Sequence, residues 1–352
     1  SWYFEDDLRN WLDLDDWDNP SKFEFHPDYV GETLENILMN TTLSYISPKV
    51  IFQALIKEKY TFEQLCKTPE LASEVACGPI KEFDFDVSIL FSDILFPLEG
   101  LGLPLEFKPG PIFSDFIEEH NYQKYTNIDQ AIDHMKFQKE AIKITREQLP
   151  NSKSLIGFVG GLWTLLRFAV DKKNKFFKPQ DFHFEFLKKT LLPLIKKNIQ
   201  LQLDAGVEIV MVFDSGLADL HSNLFKNNYV PLLADLANSF PNKLGYYCKG
   251  KTQEEINLIS NLSFAGLGID HHMDILKFFS NNKQGFIQGN FDELKLLMNE
   301  NDLANEINLY CDKIQKYGSI KGWVCGLGHG INKLTSERNV HLFIDIIRKR
   351  FK

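Results

Sequence analysis

The chain has 352 residues, 44% hydrophobic and 13% aromatic, with a formal charge of −9. That length can bury a large core, in one α/β barrel or two ordinary domains. No run reaches about eighteen uncharged apolar residues, so no membrane-spanning helix is expected.

The charge is uneven. Residues 1–40 hold eleven acids against Arg9 and Lys22, a net −9, and the rest of the chain balances. With no basic surplus anywhere, nucleic-acid binding has no electrostatic support. The five cysteines, at 66, 77, 248, 311 and 325, include no CxxC pair. Neither a disulfide framework nor a zinc site follows, and a reducing compartment is the default.

In chain order, residues 1–40 read as an acidic arm carrying three of the five tryptophans, Trp2, Trp11 and Trp17. Its acidity does not fit a transit peptide, and tryptophan among aspartates suits docking on a protein partner. From residue 41, short apolar runs rich in β-branched residues alternate with helical patterns. Strands are expected at 86–92, 154–160, 207–213, 243–248, 262–267, 284–288 and 322–327, with a weaker one near 43–52. Stretches such as 129–148, 184–203 and 292–316 carry apolar residues at helical spacing. Strand and helix in alternation predict an α/β fold with a parallel sheet, and eight strands favour a single (β/α)8 TIM-type barrel over 41–352.

Barrel enzymes place their chemistry at the carboxyl ends of the strands. Polar residues stand there in this chain: Asp93, Asp214-Ser215, Asn290 and His329, several beside glycines. On local sequence alone, Asp93 in "VSILFSDIL" either caps the next turn or faces a cavity. Ser215 could cap a helix, and His329 could be a loop histidine bonded to backbone. His271-His272, near Asp270 and Asp274, reads as a solvated helix start rather than a metal cluster.

Six stretches together resemble the uroporphyrinogen decarboxylase family: "FEQLCKTPELASEV", "VSILFSDIL", "GFVGGLWTLLRF", "VFDSGLADL", "IQGNFD" and "GLGHGINKLTSERNV", in the family's order over roughly 60–350. The resemblance implies a cofactor-free, metal-free carboxy-lyase on a distorted barrel, usually a homodimer. It implies removal of the carboxyl groups from the acetate arms of uroporphyrinogen III in haem biosynthesis. Asp93 then matches the central catalytic carboxylate, and Ser215 and His329 match groups that contact substrate carboxylates. Family members of this kind work in the cytosol, plastids or mitochondria.

Two departures stand against the resemblance. The family's arginine-rich loop has no counterpart in 42–62, and no arginine lies between 10 and 145. Lysine lacks the bidentate fork that suits a carboxylate. The family's cleft tyrosine falls on Phe168, with Arg167 beside it as a candidate replacement. These departures leave a second reading open, a catalytically inactive relative serving as a subunit of a larger complex. Cys248 lies where zinc-dependent methyltransferases of this fold carry an H-x-C motif, but Tyr246 stands at the histidine position.

Overall fold

The computed structural model describes residues 60–108, 110–170, 177–281, 285–318, 322–332 and 334–351. The acidic arm 1–40 and the strand expected near 43–52 lie outside these. Among the described residues no helix is long and apolar enough to cross a membrane.

Among the described residues there are nine strands: β1 Val87–Ile89, β2 Leu105–Phe107, β3 Pro111–Phe113, β4 Ser154–Gly160, β5 Ile209–Asp214, β6 Leu244–Cys248, β7 Gly266–Gly268, β8 Phe286–Gln288 and β9 Trp323–Val324. Seven form one sheet in the order β1-β4-β5-β6-β7-β8-β9. Every pairing in it is parallel. Each of these strands overlaps a run expected from the sequence, and β4, β5 and β6 were the most legible because parallel strands covered on both faces are apolar throughout rather than alternating. All five residues of β6, "LGYYC", are buried.

The remaining pair, β2 and β3, is an antiparallel hairpin in register Leu105↔Phe113 that the sequence reading did not anticipate. Helices make the crossovers that parallel strands require. The pattern at 129–148 becomes two helices, Ile128–His134 and Lys136–Gln148. The pattern at 184–203 becomes an almost unbroken helical run ending in Leu192–Ala205, which stops at Gly206 with φ 114°, the left-handed position that glycine adopts without a Cβ penalty.

One large apolar core runs under β4, β5 and β6, and a smaller cluster of Phe291, Leu296, Leu303, Ile307 and Cys311 lies beside the β8–β9 edge. Leu342, Phe343 and Ile346 from the helix Glu337–Arg350 pack on that second cluster. The helices thus hold the sheet from outside. Its strand ends are left to carry side chains.

Candidate active site

Asp93 follows β1 by four residues and is 3% exposed. The segment is held before it: Leu90 N–H donates to Ile156 O at 2.9 Å, and Ser92 Oγ accepts from Gln138 Nε2 at 2.9 Å. Asp93 Oδ1 accepts from Leu95 N–H at 2.8 Å, so one oxygen serves as the turn cap that local sequence allowed. Burial pushes this carboxyl up to about 7, the Leu95 N–H only partly offsetting the effect and the charge on Glu99 adding to it. A carboxyl titrating there exchanges its proton near neutrality.

Asp214, the last residue of β5, is fully buried and is the most heavily bonded carboxylate at these strand ends. Oδ1 accepts from Thr164 N–H and from Thr164 Oγ1, each at 2.9 Å. Oδ2 accepts from Tyr246 Oη at 2.8 Å and, by a short bond, from Tyr229 Oη. Thr164 lies in the first turn of the helix Leu162–Ala169, so Asp214 caps the amino end of a neighbouring helix, where orphan N–H groups and the helix dipole favour a carboxylate. Burial still pushes its carboxyl upward, against the four donors.

The network fixes Ser215. Asp214 is clamped on one side, and Gly216 N–H donates to Thr164 Oγ1 at 2.9 Å on the other. Between them Ser215 opens a short 3-10 turn, half-buried. Gly161, which leads β4 into the helix, makes this approach feasible: a Cβ there would stand 2.1 Å from Asp214 Cγ. Gly161→Ala is therefore expected to cost about 1–3 kcal/mol, read as a lowered urea midpoint. A midpoint equal to the parent's would refute the contact.

Arg167 and Phe168 lie on the same helix and are buried, at 4% and 8% exposure. Arg167 Nε donates to Asp219 Oδ2 at 2.7 Å, and its guanidinium stacks 4.3 Å over the Phe177 ring. Trp163 Nε1 donates to the other Asp219 oxygen at 2.8 Å. Arg167 thus ties its helix to the turn that carries Ser215. Phe168 packs against Phe113 of the hairpin, with ring centroids 6.4 Å apart.

His329 stands on the loop after β9, half-buried. The preceding Gly328 is held by its neighbours: its N–H donates to Phe291 O at 2.7 Å and its carbonyl accepts from Tyr247 Oη at 3.1 Å. A Cβ on Gly328 would come within 2.4 Å of His271 N, so side-chain-free backbone lets the loops after β7 and β9 touch.

The expected site residues fall into two groups by position. Asp93, Ser215 and His329 all follow carboxyl ends of one parallel sheet, with Asp93 beyond the edge strand β1, His329 beyond the opposite edge β9 and Ser215 beyond β5 between them. Arg167 and Phe168 sit on a covering helix and are engaged by Asp219, Phe177 and Phe113. The sequence reading missed the partners of Asp214: Thr164, Tyr229 and Tyr246 come from three separate elements. Tyr246, at the position where a metal-binding histidine was weighed, spends its hydroxyl on Asp214, and burial pushes the Cys248 thiol well up, so it stays protonated.

Comparison with known proteins follows the same residues. A family model described as uroporphyrinogen decarboxylase (URO-D) matches residues 50–350. The chain is 30% identical over 307 residues to a uroporphyrinogen decarboxylase of Neorickettsia sennetsu, covering 84% of this chain and 92% of the relative. It is 29% identical over 327 residues to that of Rickettsia bellii, covering 89% and 94%. Among solved structures, a methyltransferase from Methanosarcina mazei superposes with a TM-score of 0.70 at 17% identity, over 81% of this chain and 87% of that one. That likeness is one of fold. The family match over residues 50–350 and the relatives that agree with it make this chain a member of the uroporphyrinogen decarboxylase family.

Proposed function

We propose that the protein is a carboxy-lyase that removes acetate carboxyl groups from uroporphyrinogen III, giving coproporphyrinogen III, with Asp93 as its catalytic carboxylate and Ser215 and His329 as substrate contacts. The observation that carries the reading is Asp93 itself: a carboxyl buried beyond the end of β1, with a proton affinity raised to about 7. In the reaction a ring carbon of the pyrrole takes a proton, and the C–C bond to the carboxyl group breaks. Its electron pair enters the ring, CO2 leaves, and protonation of the exocyclic carbon with loss of the first proton gives a methyl group. A carboxylate receiving the pyrrole N–H stabilises the cationic ring, and at low dielectric that attraction is strong.

The finer architecture belongs to the same proposal. It includes a closed (β/α)8 barrel over 41–352 with Asp93, Ser215 and His329 at one mouth. The arm 1–40 docks on a protein partner through Trp2, Trp11 and Trp17, and the barrel pairs as a homodimer. The support is the strand count and the charge asymmetry.

A second reading, a silent relative kept as a complex subunit, is favoured by one observation: the Arg167 guanidinium is committed to Asp219 and Phe177, in a chain with no arginine between 10 and 145. Incubating the full chain with uroporphyrinogen III and separating products by chromatography distinguishes the two. Coproporphyrinogen and its partly decarboxylated precursors are the expected outcome. Substrate recovered unchanged would sink the enzyme reading.

A further inference from the structure

The loops after β7 and β8 bring together side chains that the reading above does not use. His271, Asp292 and Glu293 each offer a ligand atom, and these atoms all lie within 4.8 Å of one another. We propose that His271, Asp292 and Glu293 form a binding site for a first-row divalent cation, Zn2+ or Mn2+.

Glu293 carries most of this. Its side chain is 10% exposed, and its one hydrogen bond among the described residues is to His271 Nδ1, at 3.1 Å. A carboxylate this far from solvent is stabilised by a cation set beside it. Asp292 spends one oxygen, Oδ1, on Leu294 N–H at 3.0 Å, which orients the side chain and leaves Oδ2 available. Asp270 adds a third carboxylate nearby: its Oδ1 lies 3.6 Å from His272 Nδ1 and accepts from His272 N–H.

Two carboxylates and an imidazole gathered at one point favour a dication. One nitrogen and two carboxylate oxygens are ligands that zinc and manganese accept. Metal–ligand bonds of about 2.0–2.2 Å at tetrahedral angles place ligand atoms about 3.4 Å apart, so the observed cluster closes with a relative movement of at most about 1.5 Å, which side-chain rotation can supply. The two histidines separate cleanly. His271 is 20% exposed and paired, whereas the His272 side chain is 71% exposed.

The cluster also touches the proposed cleft, since Gly328, which precedes His329, lies against His271 N. A dication there would put positive charge beside a loop expected to meet carboxylates. That consequence rests on the decarboxylase reading, while the site itself does not.

The test uses the full chain, freed of metal with a chelator and titrated calorimetrically with zinc chloride and with manganese chloride. One equivalent should bind. Affinity should fall more than about 100-fold in His271→Ala and in Glu293→Gln, and stay unchanged in His272→Ala. X-ray absorption of the zinc-loaded parent chain, which needs no variant, should show nitrogen and oxygen neighbours only. Absence of binding by either ion, affinity preserved in both ligand variants, or sulfur in the coordination shell would each overturn the site. Turnover is not among the readouts, so an inactive chain that binds one equivalent leaves the site standing.

Discussion

Replacing Asp214 by alanine is expected to destabilise the protein by roughly 4 kcal/mol. The substitution removes both acceptors of a fully buried network and orphans Tyr229 Oη, Tyr246 Oη and the Thr164 hydroxyl and N–H together. Each buried donor left without a partner costs about 1–3 kcal/mol, and relief of the buried carboxylate offsets part of the sum. Asp214→Asn should lose much less, because its Oδ1 can still accept from Thr164 while a tyrosine hydroxyl can turn to accept from the amide. Urea unfolding of both variants reads the difference. A loss under about 1 kcal/mol in the alanine variant would mean that the network is not cooperative.

Asp93→Asn should do the opposite and stabilise the fold at high pH. The native carboxyl titrates at about 7, against an ordinary value of 3.8. The native state therefore binds more protons than the unfolded chain between those values, and stability falls as pH rises through that window. The penalty is absent below the lower value and fully present above the upper one. The difference between those two values corresponds to roughly 4 kcal/mol. Asparagine keeps the acceptor for Leu95 N–H and has no charge to desolvate. Its gain should approach that figure at about pH 8 and vanish near pH 4. A difference independent of pH would contradict the buried-carboxyl account. Such a gain at the expense of activity is the usual exchange at a functional site.

Much of the fold was legible because the central parallel strands are buried on both faces and so appear as continuous apolar runs, as in "SLIGFVG" of β4. The hairpin β2–β3 was not, since Pro104, Pro109, Gly110 and Pro111 crowd the stretch and read as a loop. Of the candidate site, Asp93, Ser215 and His329 were legible by position, each set after an apolar run. The Asp214 network was not. Tyr229 and Tyr246 lie 15 and 32 residues from Asp214, and nothing in the intervening sequence says that their hydroxyls converge. His271 shows the same limit. Beside His272 it reads as a solvated pair, and only the alignment of β7 with β8 brings Glu293 to it across 22 residues.

The most direct test of the central claim is turnover of uroporphyrinogen III by the parent chain and by Asp93→Asn, with thermal unfolding and substrate binding measured on the same preparations. The account predicts acetate decarboxylation by the parent chain and a loss of at least roughly 100-fold in kcat in the variant, which remains folded and still binds. A parent chain that binds without releasing product, or a variant as fast as its parent, would contradict it.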